Sequence, residues 1–129
     1  MSNTFGKKYK LCSHVLIEDV FATGQLIKAY PFVVRMKFVE LPKDVPFQVV
    51  ISAPKRTFRK AYQRNRVKRL CKEAFRMNKN ELESALVNSN KQLALFMMFT
   101  SKDDFTKELL ESRTRKLIKK IITQLETHD

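Results

Sequence analysis

The chain has 129 residues, enough for one domain and too few for two with full cores. Hydrophobic residues make up 43%, with 10 Phe, which excludes disorder as the main state. Lys and Arg number 26 against 13 Asp and Glu, a net charge of +13; a compact chain this basic repels itself and calls for a polyanionic partner, nucleic acid first and an anionic membrane surface second.

In chain order, the opening MSNTFGKKYKL lacks the apolar stretch of a signal peptide, so a cytosolic protein is expected. Residues 13–23 predict a short helix. Ser13 is its N-cap, Leu16, Ile17, Val20 and Phe21 fall at helical spacing, and Gly24 is its C-terminal stop. A short strand at residues 26–28 precedes Pro31. The alternation in PFVVRMKFVE then predicts a strand with Phe32, Val34, Met36 and Phe38 on one face and Val33, Arg35, Lys37 and Val39 on the other. Pro42, Lys43, Asp44 and Pro46 supply a turn. The run FQVVISA that follows puts Phe47, Val49, Ile51 and Ala53 on one side. Pairing these two runs gives an antiparallel hairpin, greasy on one face and wet and mildly basic on the other, where Arg35, Lys37, Gln48 and Ser52 lie.

Residues 61–78 predict a helix with Val67, Leu70, Cys71 and Ala74 inward and Phe75 at the margin. Arg64, Lys68, Lys72 and Arg76 form an i, i+4 ridge flanked by Arg69 and Lys79. Like charges at that spacing cost an isolated helix about 0.2–0.5 kcal/mol per pair, a cost that phosphates would relieve. A polar connection around residues 88–90 leads to QLALFMMFT, whose unbroken apolar character fits a strand covered on both faces. A last helix from about residue 103 has Asp103 or Asp104 at its amino end. Leu110, Leu117, Ile118, Ile121, Ile122 and Leu125 form its buried stripe. The expected fold is α+β around one sheet, a single domain over residues 1–129.

The charge is concentrated. Residues 55–79 hold eleven basic residues and one acid, Glu73, and so supply +10 of the total +13. A solvated charged face is the plain reading of such a run; its one-sided sign favours a polyanion. Its arginines hydrogen-bond phosphate in pairs and stack on bases, and Asn65 adds a neutral donor and acceptor. Catalytic constellations are missing. The sequence has no H-E-x-x-H, nucleotide-binding Gly loop or Cys/His cluster. His14 and His128 read as surface residues, and Glu18–Asp19 and Asp103–Asp104 as helix-start electrostatics. Cys12 and Cys71 have no metal or redox spacing and read as apolar fillers in a reducing compartment. With no run of 18 apolar residues, no span of a bilayer is expected. The function expected is therefore binding.

The segment RNRVKRLCKEAFR, residues 64–76, resembles the Arg-Asn-Arg signature of the bacterial ribonuclease P protein subunit. Ser52-Ala53-Pro54-Lys55-Arg56 resembles that family's Ser-x-x-Lys-Lys-like strand end, and Val20-Phe21-Ala22-Thr23-Gly24 its apolar-Phe-x-x-Gly helix end. The resemblance covers about residues 5–125 and implies a fold of helix–three strands–helix–strand–helix, like the second domain of ribosomal protein S5, with a left-handed strand–helix–strand crossover. It implies as partner a catalytic RNA that removes the 5′ leader of precursor tRNA with Mg²⁺ held by the RNA, so the chain itself has no catalytic or metal-binding residue. No membrane and no obligate protein partner is implied. Carried over, the RNA-binding set is Lys55, Arg56, Arg64, Asn65, Arg66, Lys68, Arg69 and Lys72. A leader cleft would use Lys10, Ile17, Phe21, Val33 and Arg35. Relatives often carry aromatics where Ile17 and Arg35 stand, so charge and apolar contact would replace stacking there. For Ile17 and Phe21, packing into the core is the competing reading; for Arg35 it is an ordinary exposed strand position. Another single-domain RNA binder, such as a ribosomal protein, is the alternative function. A DNA-binding domain with its helix in a major groove is a third, disfavoured by the absence of a zipper or helix-turn-helix partner.

Overall fold

The first described element is helix α1 (His14–Thr23), followed by strands β1 (Gln25–Ala29), β2 (Phe32–Phe38) and β3 (Phe47–Ser52). Helices α2 (Ala61–Asn78) and α3 (Asn80–Ser89), strand β4 (Leu93–Phe99) and helix α4 (Lys107–Thr127) complete the chain. The computed structural model describes residues 9–42, 44–55, 57–101 and 106–127. Lys43, Arg56, Asp103, Asp104 and His128 lie outside the described residues.

The four strands form one mixed sheet in the order β1-β2-β4-β3. The expected β2–β3 hairpin does not form. β4 lies between them, antiparallel to β2 with Val34 opposite Met97, and parallel to β3 with Val49 opposite Leu95. Alternation in β2 and β3 fixed which residues share a face but not which strands touch. The strand with the most continuous apolar sequence takes a central place, with one face buried and the other, where Phe96 and Met98 are half-buried, partly covered. Gln92 pins the loop that makes room for it: its side chain accepts from the Leu41 N–H at 2.9 Å and donates to the Val45 carbonyl at 2.8 Å.

Each face of the sheet carries its own layer. Phe47 meets Phe75 of α2 edge-on with centroids 5.4 Å apart, and Phe32, Val34, Met36, Leu95, Met97 and Phe99 are buried on that same side. Phe75 is fully buried, deeper than its marginal position on the helical projection suggests. α4 packs beside α2 and over β1, burying Leu110, Leu117, Ile118, Ile121 and Leu125, with Ile122 half-buried. The Thr106 hydroxyl caps α4 by accepting from the Leu109 N–H at 3.1 Å. Among the described elements, α1 covers part of the other face, against β2 and β4.

Three local expectations change. The chain between α2 and β4 is not merely a connection: α3 occupies it, with Leu82 and Leu86 buried at i, i+4 spacing and Asn90 closing it at φ 54°. Gly24 stops α1 in an extended conformation, φ −69° and ψ 153°, not in the left-handed region. It is needed for close approach, because a Cβ there would lie 2.3 Å from the Val20 carbonyl oxygen and 3.1 Å from that of Met36. Cys71 is buried as expected, its thiol pushed up to about 12 by burial, but Cys12 is exposed, because it precedes α1 on a segment whose inward positions are Tyr9 and Leu11.

Candidate nucleic-acid interface

α2 enters the site from a loop that it helps to hold. The Arg64 guanidinium reaches back to donate to the carbonyls of Phe58 at 2.9 Å and Arg59 at 3.2 Å. This fastens the loop at residues 57–60 to the first turn and leaves Arg64 half-buried. From Cys71, Ala74 and Phe75 anchored in the core, the 100° step per residue sets what faces outward. Asn65, Arg66, Lys68, Arg69 and Lys72 are all exposed. Lys55 is exposed in the turn that follows β3; Arg56 lies outside the described residues.

The ridge is shorter than the i, i+4 pattern implied. Arg76 is held by Glu73 at 2.5 Å, a pairing that lowers the Glu73 carboxyl below its ordinary range through its hydrogen bond to Arg76. Lys79 does not flank the ridge at all. It is only 1% exposed, ion-paired with Glu83 one turn later and set over the Tyr9 ring at 5.1 Å. What remains outward is Arg66, Lys68, Arg69 and Lys72, and among the described residues no carboxylate pairs with any of them.

One aromatic on this face was missed from the sequence. Tyr62 is 65% exposed in the first turn of α2, with the Lys60 ammonium 5.9 Å from its ring centre. It shares a helical row with Arg66 and Arg69. The signal was present in AYQRNR, since an aromatic four residues before a basic residue lies beside it on the helix.

Of the proposed cleft residues, Ile17, Phe21, Val33 and Arg35 lie on α1 and the sheet face it covers, and Lys10 does not join them. Phe21 stands edge-on to Phe96 at 5.6 Å, and the Arg35 guanidinium lies over the Phe21 ring, 5.4 Å from its centre, its Nη1 donating to the Gly24 carbonyl at 3.5 Å. Phe21 remains 52% exposed, whereas Ile17 is half-buried and packs against the core. Val33 is half-buried on the same sheet face. Lys10 is exposed and bridges to Val49 at the outer edge of β3, on the far side of β4 and β3 from Arg35 in β2. Gln48, placed on the wet face by its strand phase, is buried at 4%. Lys37 is tied to Asp19 of α1 at 2.6 Å, which lowers the Asp19 carboxyl below its ordinary range chiefly by hydrogen bonding. That pair fixes α1 across β2 and so holds Phe21 over the sheet.

The fold and site together define a class: a small α+β protein whose four-stranded sheet carries a strongly basic helix layer on one face and a single helix with an exposed aromatic on the other. The chain belongs to the family described as Ribonuclease P, whose model matches residues 5–122. It is 36% identical over 85 residues to the ribonuclease P protein component of Porphyromonas gingivalis, an overlap of 64% of this chain and 62% of that protein. Its backbone is similar to the Staphylococcus aureus RNase P protein, with a TM-score of 0.65 at 19% identity over 88% of this chain and 94% of the other. It also resembles the Thermotoga maritima RNase P protein, with a TM-score of 0.52 at 20% identity over 93% and 97%. At these identities the structural likeness speaks for the fold.

Proposed function

We propose that this chain is the protein subunit of a ribonuclease P ribonucleoprotein. It binds the catalytic RNA through the outer face of α2 and receives the single-stranded 5′ leader of precursor tRNA in the cleft between α1 and the sheet. Together with family membership, one observation carries this reading: four exposed cations on α2 with no carboxylate of the described chain against them. Phosphodiesters supply the missing counter-charge. The cleft adds an aromatic stacked under a guanidinium, a surface on which a leader base can stack.

In this reading the chain has no catalytic residue and the RNA cleaves. Mg²⁺ bound to the RNA supplies charge stabilisation at the reacting phosphate. Among the described residues no group of three or more His, Cys, Asp or Glu is placed to hold a metal ion, and no protein ligand is assigned to it. The chain's own work is to position: α2 docks, Arg64 holds the loop beside Lys55, and Phe21 with Arg35 orients the leader. A cytoplasmic location fits such a role. No helix among the described residues is long and apolar enough to cross a membrane.

The test is reconstitution. Purified chain added to the catalytic RNA at low Mg²⁺ is expected to accelerate leader removal over RNA alone; no acceleration overturns the reading in favour of a different structured-RNA binder. Tyr62 gives a finer check. Tyr62→Ala is expected to weaken RNA binding by about 1–3 kcal/mol, the worth of one stacked base, while Tyr62→Phe retains affinity. Equal losses in both would assign the role to the hydroxyl.

A further inference from the structure

A second basic surface lies outside α2. The run RTRKLIKK, residues 113–120, carries five cations and no acid. Of these, Arg115, Lys116, Lys119 and Lys120 are exposed on α4. They form two adjacent i, i+4 rows, Arg115 with Lys119 and Lys116 with Lys120, so repulsion runs along both. Among the described residues none of the four has a carboxylate partner. Lys120 commits one donor to the Lys28 carbonyl at 2.8 Å, and an ammonium has three. Between α4 and β1 runs a groove of about 450 Å³, lined by Lys28, Lys119, Lys120, Thr123 and Gln124 with Leu26 and with no carboxylate. The Gln124 side chain accepts from that of Gln25 at 2.5 Å, tying helix to strand beside it.

Protection of the β1 edge accounts for part of this charge, since lysines on an edge strand discourage further pairing. It accounts for Lys28 and Lys120. It does not account for Arg115, Lys116 and Lys119, which continue around the helix.

We infer that the outer face of α4, with the β1 groove, is a second phosphate-backbone contact, and that its occupant is the catalytic RNA, through a segment separate from the one on α2. This rests on the proposed function. The choice of RNA follows from the layers: α4 packs beside α2 on one face of the sheet, while the α1 cleft assigned to the leader opens on the other. A large RNA lying on α2 reaches α4 without passing around the sheet. Ammonium groups, as compact point charges, suit contacts that position a backbone without reading bases.

The test uses the full chain carrying Arg115→Gln, Lys116→Gln and Lys119→Gln, with affinity measured against salt on transcribed ribonuclease P RNA and, separately, on precursor tRNA alone. On the catalytic RNA, the slope of log affinity against log salt is expected to become shallower by about two to three units, at roughly 0.7–0.9 for each phosphate no longer neutralised. On precursor tRNA alone it is expected to stay unchanged. An unaltered slope on the catalytic RNA, where the parent chain binds and substitutions on α2 do flatten it, overturns the inference and leaves the function standing. A change confined to precursor tRNA also overturns it. If the parent chain fails to bind the catalytic RNA, both fall. Circular dichroism checks the fold; should the triple variant not fold, Lys116→Gln and Lys119→Gln taken singly are each expected to flatten the slope by about 0.7–0.9.

Discussion

Replacing Arg66, Lys68, Arg69 and Lys72 together by Gln is expected to lower affinity for the catalytic RNA by about two orders of magnitude at moderate salt. The slope of log affinity against log salt should flatten by about three units. The fold should survive, because these side chains are exposed and removing the Lys68–Lys72 repulsion is worth about 0.2–0.5 kcal/mol to the helix. A melting temperature equal to or above the parent's, with weakened and less salt-sensitive binding, is therefore the expected pair of results. Unchanged binding would place the interface elsewhere. Arg64 is deliberately kept: its hydrogen bonds to the Phe58 and Arg59 carbonyls mean that its loss would disturb the loop and confuse a structural effect with a direct one on RNA.

A large effect on stability is expected at the corner between α2 and α3. Lys79 and Glu83 form a buried ion pair. The Tyr9 ring lies under the ammonium, and the Tyr9 phenol has a raised pKa from burial first and from Glu83 second. Removing one partner leaves the other charge desolvated, so Glu83→Ala is expected to cost about 3–5 kcal/mol, read as a fall in melting temperature of about 10 °C or more. Lys79→Met combined with Glu83→Gln should recover most of that loss, because neither half then leaves an orphaned charge. If the double variant is as unstable as Glu83→Ala, packing and not charge governs the corner. Both measurements are made without RNA, so they are independent of function.

The elements whose character is local were legible in the sequence. α1 begins at a Ser13 cap and the strand phases of β2 and β3 hold, because capping and alternation are properties of consecutive residues. Alternation left sheet order open, since a run that pairs in a hairpin and one that waits for a distant partner have the same period of two; the strand–helix–strand crossover implied by the family resemblance did carry the parallel β3–β4 connection. Lys79 read as solvated because its burial depends on Tyr9, seventy residues away, as well as on Glu83. α3 is masked in the sequence because NELESALVNS is short and polar, although Leu82, Ala85 and Leu86 are spaced for a helix face. Of the candidate site, Asn65, Arg66, Lys68, Arg69 and Lys72 stand outward as helical periodicity required. The α4 cations were hidden by averaging: the acids elsewhere in the chain nearly cancel them in the net charge, though not in space.

The place of β4 also bears on how the nascent chain matures. β1 and β2 are joined by a short link and can zip together as soon as both leave the ribosome. β3 cannot, because its partner begins at Leu93, beyond two complete helices. Until β4 arrives, β3 offers an unpaired edge on the side β4 will fill, and closing so long a loop is slow compared with forming a local hairpin. Synthesis therefore releases the polycationic stretch before β4 and α4, the parts of the scaffold that aim it, exist.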